Sequence, residues 1–307
     1  CLLLAVGLPM TLALLVGAML TPTDPITTTP VVTGVNAEKY VPDRVRFNLS
    51  GESGVNDGLG FLFVMLPLLL LTVAPTGQAW TQWLVDVVLW KVLGAAVMAA
   101  LAGYLFGKAY IVCRDRGYID QGSLLIIAIP IGLFMLGLLK LIGTDGILGV
   151  FITAAVFGQV VQQSAEEVQD TVADALTRLL MIPLFLLLGV FLPVGEWAHM
   201  SPVLLLGLAA AVFVRRVVAV WLVSPVYRNL HTRQELAFMS WFGPIGVSAL
   251  YYAMDASSRL GDERVFVYVS FAIAVSVVLH GLSTVPLSKW LATHNDRAPE
   301  TTAPQQH

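Results

Sequence analysis

The chain has 307 residues, 57% of them hydrophobic and 12% charged, with a mean hydropathy of +0.80. That balance excludes a soluble globular domain and predicts an all-α polytopic membrane protein. A net charge of −3, with Lys and Arg scattered at helix ends, excludes a nucleic-acid partner, and two cysteines, Cys1 and Cys113, supply neither a disulfide framework nor a metal cluster.

A hydrocarbon core about 30 Å thick takes roughly 20 apolar residues per helix, which predicts about nine spans. Their limits are 1–33, 45–73, 80–108, 118–142, 144–162, 172–192, 201–223, 234–255 and 264–290. The chain opens on Cys1 inside the first span, with no charged n-region or small-residue cleavage site, so this is not read as a signal peptide and the true N-terminus is expected upstream. Alternating the loops puts Lys39, Arg44, Arg46, Lys108, Arg114, Arg116, Arg178, Arg228, Arg233, Lys289 and Arg297 on one side. Only Lys140, Arg259 and Arg264 fall on the other, so the first side is cytoplasmic. Residues 1–290 then form a multi-pass transmembrane domain, and 291–307 a polar cytoplasmic tail.

Two spans carry helix-breaking punctuation. The first reads GAMLTPTDPITTTPVVTG, with Pro22 and Pro25 bracketing Thr23 and Asp24; the eighth reads SWFGPIGVSALYY, with Gly243, Pro244 and Gly246 close together. Unwound backbone at membrane depth survives only against protein or a watery cavity, so the breaks mark a site. In the deduced topology the two broken helices run in opposite directions, as in inverted-repeat secondary transporters whose half-helices meet at the midplane.

The second span contains FNLSGESGVNDGLG, and Asp57 lies about 18 Å into it, near the bilayer centre. An isolated Asp there costs about 2.5–3.5 kcal/mol on insertion scales. Helical spacing puts Ser53, Asn56 and Asp57 on one face, with Glu52 at its shoulder, while Gly51, Gly54, Gly58 and Gly60 thin the neighbouring surface for close helix approach. Carboxylates, hydroxyls and free carbonyls are hard ligands suited to hard cations, and no Cys/His cluster offers a transition-metal site. Burial disfavours a carboxylate's charged form and a bound cation favours it, so cation and proton compete for the same oxygens. The residues themselves therefore predict cation/proton antiport.

Other residues receive plainer readings. Asp24 beside Pro25 is expected to cap a half-helix through the amides of ITTT or to touch the ion directly; Asp145 is expected to cap the fifth span, and His280 to pack as a satisfied histidine. An enzyme is disfavoured: GESGV puts Val55 where a nucleophile elbow needs Gly, and the sequence contexts of an intramembrane aspartyl protease are missing.

At these residues the chain resembles the monovalent cation:proton antiporter superfamily, specifically its bacterial sodium/proton exchanger branch. TPTDP resembles the Thr-Asp-Pro signature of the unwound helix and ESGVND the Glu-x-x-x-Asn-Asp signature of the next; GTDGILGVFITAAVFGQ, MIPLFLLLGVFLP and FGPIGVSALYY resemble later segments in order. The resemblance covers the chain to about residue 290. It implies a fold of 12–13 helices with two discontinuous crossing helices, of which three or four N-terminal helices are absent here, so the chain looks like an N-terminally truncated member. It further implies a homodimer in the cell (inner) membrane, with transport by an elevator-like movement of a core bundle. The transported species are Na+ or K+ and H+, with no cofactor and no resident metal. Asp57 is then the shared cation and proton carrier, Asn56 its partner in the pair associated with electroneutral exchange, Ser53, Thr23 and Asp24 supporting ion-site residues, and Glu52 a buried acid that organises the site. A cation or pH sensor that does not transport, and K+/H+ in place of Na+/H+ exchange, are the alternatives. One departure is plain: many members carry Arg within Gly-Pro-Arg-Gly of the second broken helix, paired with the Glu, and here Ile245 stands instead. Arg215 and Arg216 are candidate replacements, although their position also suits side chains that snorkel to the interface; protonation of Glu52 is the other way to meet the loss.

Overall fold

A computed structural model of the chain describes residues 4, 7–24, 29–118, 124–161, 183–227, 230 and 232–295, and among them all regular structure is helical. Pro25, residues 172–182 of the sixth predicted span and the tail beyond Asn295 lie outside the described residues.

Helix α1 (Met10–Met19) stops short of Pro22, which lacks an N–H and disfavours helical backbone in the residue before it. At 1.5 Å per residue it is about 15 Å long, half a hydrocarbon core. Two short helical turns, Thr29–Val32 and Val35–Tyr40, lead to Pro42, after which a long helix, α2 (Asp43–Thr72), begins with an acid in its first turn. Next come α3 (Thr76–Asp115), wound as a π-helix between Trp83 and Gly94, α4 (Leu124–Ile142) and α5 (Gly146–Val161). Asp145 caps α5 as the sequence predicts, its Oδ1 accepting from the N–H groups of Ile147 (2.9 Å) and Leu148 (3.1 Å).

Helix α6 (Pro202–Val223) is capped by Ser201, and α7 (Arg233–Trp241) by Thr232. Phe242–Gly246 is unwound, α8 (Val247–Leu260) follows and ends on Gly261 in the left-handed region (φ 63°), and α9 (Arg264–Asn295) closes the described chain. Among the described residues four helices are long and apolar enough to cross a membrane: Asp43–Thr72, Thr76–Asp115, Pro202–Val226 and Arg264–His294. Met10–Met19, Ile127–Ile142 and Gly146–Val161 are shorter apolar helices. The class is that of an all-α membrane protein. Nine complete spans are not seen among the described residues, because the first and eighth are divided by their breaks and the sixth is described only in part.

Leu84, Leu89, Leu93, Leu101 and Leu105 of α3 are each at least half exposed, the outward apolar face that lipid accepts and water does not. Inside, α3 and α4 pack on α5, which also meets α2, while α2, α8 and α9 enclose α1. One apolar cluster joins Leu15, Met19, Leu68, Leu208 and Ile245; another joins Val45, Leu49, Val220, Phe238 and Phe242. The second break contributes to both, through Ile245 and Phe242, so its polar backbone lies between two dry layers.

Candidate functional site

The two unwound segments touch. The main-chain N–H of Asp24 donates to the carbonyl of Pro244 at 2.8 Å, and Asp24 Oδ2 accepts from the N–H of Val247, the first residue of α8, at 3.1 Å. A carboxylate at a helix N-terminus meets both an orphan donor and the positive end of the dipole. Only a glycine permits this approach: a Cβ on Gly246 would lie 1.7 Å from Asp24 Oδ2. Asp24 therefore caps the other broken helix, where the sequence suggested its own ITTT segment, most of which lies outside the described residues.

Helix α2 supplies the next layer. Thr23 donates its N–H to Asn56 Oδ1 (3.0 Å), its Oγ1 accepts from Asn56 Nδ2 (2.8 Å), and the same hydroxyl shares a hydrogen bond with Ser53 Oγ (3.0 Å). Both ends of the Asn56 amide are thus committed to the first break. Asp57, one residue on, turns to the second: its Oδ1 accepts from Ser248 Oγ at 2.8 Å, and its carbonyl accepts from Tyr252 Oη at 3.1 Å. Ser248 and Tyr252 were not singled out from sequence, although they are four apart directly after the Gly-Pro-Ile-Gly break and so share a face of α8. Close approach explains the glycines: Cβ atoms on Gly54, Gly58 and Gly60 would run into Phe151, Leu148 and Pro22, whereas Gly51 faces open space.

Glu52 is not fully buried, at 26% exposure, and it is not without a partner. Arg216, 5% exposed, donates Nη1 to Oε1 and Nη2 to Oε2 (2.9 Å), and its Nε donates to the carbonyl of Met239 (2.8 Å). The two-pronged geometry is that of an ion pair. Arg215 also turns inward, Nη1 donating to the carbonyl of Thr21 (2.9 Å) and Nη2 to that of Gly243 (2.7 Å). Neither arginine snorkels, because the breaks expose carbonyls that need donors and because Gly243 has no side chain. A Cβ there would sit 2.1 Å from Arg216 Cδ. The signal in sequence was two consecutive arginines in the middle of AAAVFVRRVVAVW.

The second break is held from α9 much as the first is held from α2. Ile245 donates its N–H to Ser276 Oγ (2.8 Å), and His280, 3% exposed, sets Nδ1 2.7 Å from the Ser276 carbonyl and Nε2 2.9 Å from that of Trp241. His280 is thus a packing histidine with polar neighbours for both ring nitrogens. A crevice of about 710 Å3 between α1, α2 and α6 reaches Thr21 and Arg215. Its walls are mainly apolar, including Leu14, Phe63, Leu66 and Val214, with no carboxylate among the lining residues.

Residues 1–290 match the profile of the sodium/hydrogen exchanger transmembrane family. The chain belongs to that family. It is 30% identical to Na(+)/H(+) antiporter 2 of Zygosaccharomyces rouxii over 94% of this chain and 39% of that protein. It is also 24% identical to the Na(+)/H(+) antiporter NhaH of Halobacillus aidingensis over 92% of this chain and 70% of that one. With the K(+)/H(+) antiporter NhaP of Alkalimonas amylolytica it shares 26% identity over 97% of this chain and 50% of the relative. The chain spans 33–39% of the length of three fungal relatives.

Within this exchanger-family chain, the three carboxylates at the breaks have different fates. Glu52 is ion-paired with Arg216, and Asp24 is bound to the backbone of α8. Asp57 accepts one hydroxyl bond and, among the described residues, forms no ion pair with Lys, Arg or His.

Proposed function

We propose that the chain is the transport domain of a secondary antiporter that exchanges a monovalent cation, Na+ first, for H+ by alternating access, with Asp57 as the shared site. The observation that carries this reading is the Asp57 carboxylate, held by Ser248 of the second broken helix and, among the described residues, left without a counter-charge. A carboxylate so placed is neutralised either by a proton or by a cation, and excluding both at once couples the two fluxes. Asn56, Ser53 and Thr23 stiffen the wall beside it, Asp24 fixes the start of α8, and Ser248 Oγ is a further oxygen for the ion. The similar support of Thr23 by α2 and Ile245 by α9 favours an inverted-repeat origin, in which one midplane site opens to either side. In this reading the protein moves ions and catalyses no covalent chemistry, works as a homodimer, and keeps its C-terminus in the cytoplasm. The similarity to an antiporter named for K+ makes K+ the second cation to try.

Proton flux in proteoliposomes bearing a defined pH gradient tests the proposal. Addition of Na+, Li+ or K+ is expected to dissipate the gradient through the wild-type protein and not through Asp57→Asn, the responding ion naming the substrate. Wild-type protein that binds cations but moves no protons across pH 6–9 overturns exchange in favour of a sensor.

A further inference from the structure

Unwinding a helix leaves carbonyls without donors, and the two breaks here expose such groups at one place. Thr21 follows the last turn of α1 and Gly243 follows that of α7, so each carbonyl lies at the negative end of a half-helix. Two such ends side by side repel each other and attract any cation within reach, including the transported one. Arg215 reaches both carbonyls with separate nitrogens, at 2.9 and 2.7 Å.

The arginine fits this task through its shape. A guanidinium presents parallel N–H groups at fixed separation, so two acceptors gripped by Nη1 and Nη2 are held at a set distance. Arg215 is not engaged by a carboxylate among the described residues, since the neighbouring Arg216 takes Glu52, and its Nε is buried without a partner. The two hydrogen bonds its guanidinium makes both go to the backbone of the breaks. Ile245 contributes only its main-chain N–H to the network, directed to Ser276, so no side chain of the second break supplies the positive charge.

We propose that Arg215 is a positioning residue for the ion site: a built-in cation that locks the two breaks in register and keeps their carbonyls from binding the transported ion. The transported ion is then left to the oxygens around Asp57 and Ser248, and its selection depends on a geometry that Arg215 maintains from the side of α6. This rests on the exchange reading above for its functional consequence, but the register itself is a property of the fold.

The test compares wild type with Arg215→Gln and Arg215→Lys, in transport and in hydrogen exchange of the peptides covering residues 21–24 and 242–247. In transport, R215Q is expected to raise the half-saturating Na+ concentration about tenfold and to narrow the discrimination between Na+ and K+, with R215K, which keeps the charge and loses the two-pronged grip, falling between R215Q and wild type. Half-saturation and selectivity unchanged in R215Q, or R215K equal to wild type, overturns the proposal. In hydrogen exchange, both segments are expected to speed up about tenfold in R215Q while peptides of α4 and α5 do not change; acceleration in neither or only one segment overturns the bridge. Should R215Q yield no folded protein, R215K decides: lysine keeps the charge without the fork, so at least one of the two segments is expected to exchange faster than in wild type, and both staying at wild-type exchange overturns the bridge. Wild-type protein that moves no protons removes the exchange reading alone, because the amides still decide the role of Arg215.

Discussion

Arg216 grips Glu52 through both terminal guanidinium nitrogens across 164 residues of sequence, and its third nitrogen holds the carbonyl of Met239 near the end of α7. One side chain thus ties α6 to α2 and to the second broken helix. Breaking a buried pair by removing one partner costs about 3–5 kcal/mol, and the 26% exposure of Glu52 puts the cost of Arg216→Gln near the low end. Thermal unfolding in detergent is expected to show that loss, and the double variant E52Q/R216Q to recover part of it, since neither charge is then stranded. A double variant as unstable as the sum of the singles would falsify the pairing.

Asp57→Asn keeps the side-chain shape and still offers Ser248 an acceptor, so the fold is expected to survive with an unfolding temperature at or above that of wild type. Cation-driven proton flux is expected to vanish. In wild type, lowering pH should weaken the apparent cation affinity, because protons compete for the same oxygens. Flux measured against Na+ at several pH values checks both statements, and an asparagine variant that still exchanges removes Asp57 from the site.

Ser248→Ala takes away the hydroxyl that faces Asp57. A hydrogen bond to a charged group contributes about 1.5–3 kcal/mol, so the half-saturating Na+ concentration is expected to rise at least about tenfold while the maximal rate changes less. Threonine, which keeps the hydroxyl, should restore much of the affinity.

Glycine substitutions separate close approach from mere helix content. Gly246→Ala puts a methyl 1.7 Å from Asp24 Oδ2 and is expected to abolish flux and lower the yield of folded protein. Gly51→Ala, on the same fold with nothing within 4 Å, is expected to be neutral or to stabilise α2 by about 0.5–1 kcal/mol. Equal tolerance at the two positions, read from expression and thermal unfolding, would mean that Asp24 does not cap α8 as described.

Hydropathy marked out the four described helices long and apolar enough to cross a membrane, because exclusion from water is a property of each window of about 20 residues. Prolines and glycines marked the breaks at Pro22 and at Gly243–Gly246, because they act on their own backbone and immediate neighbours. The spacing of Ser53, Asn56 and Asp57 likewise announced a polar helix face. What each of those side chains holds was decided only by packing: Asn56 is committed to Thr23, Asp57 faces Ser248 on another helix, and Asp24 caps Val247, 223 residues away. The partners of Glu52 and of the exposed carbonyls were undecidable along the chain for the same reason. Arg215 and Arg216 sit mid-helix where either lipid interface or protein interior could receive them, and only the folded molecule brings Gly243, with no Cβ, against α6 to open the inward path.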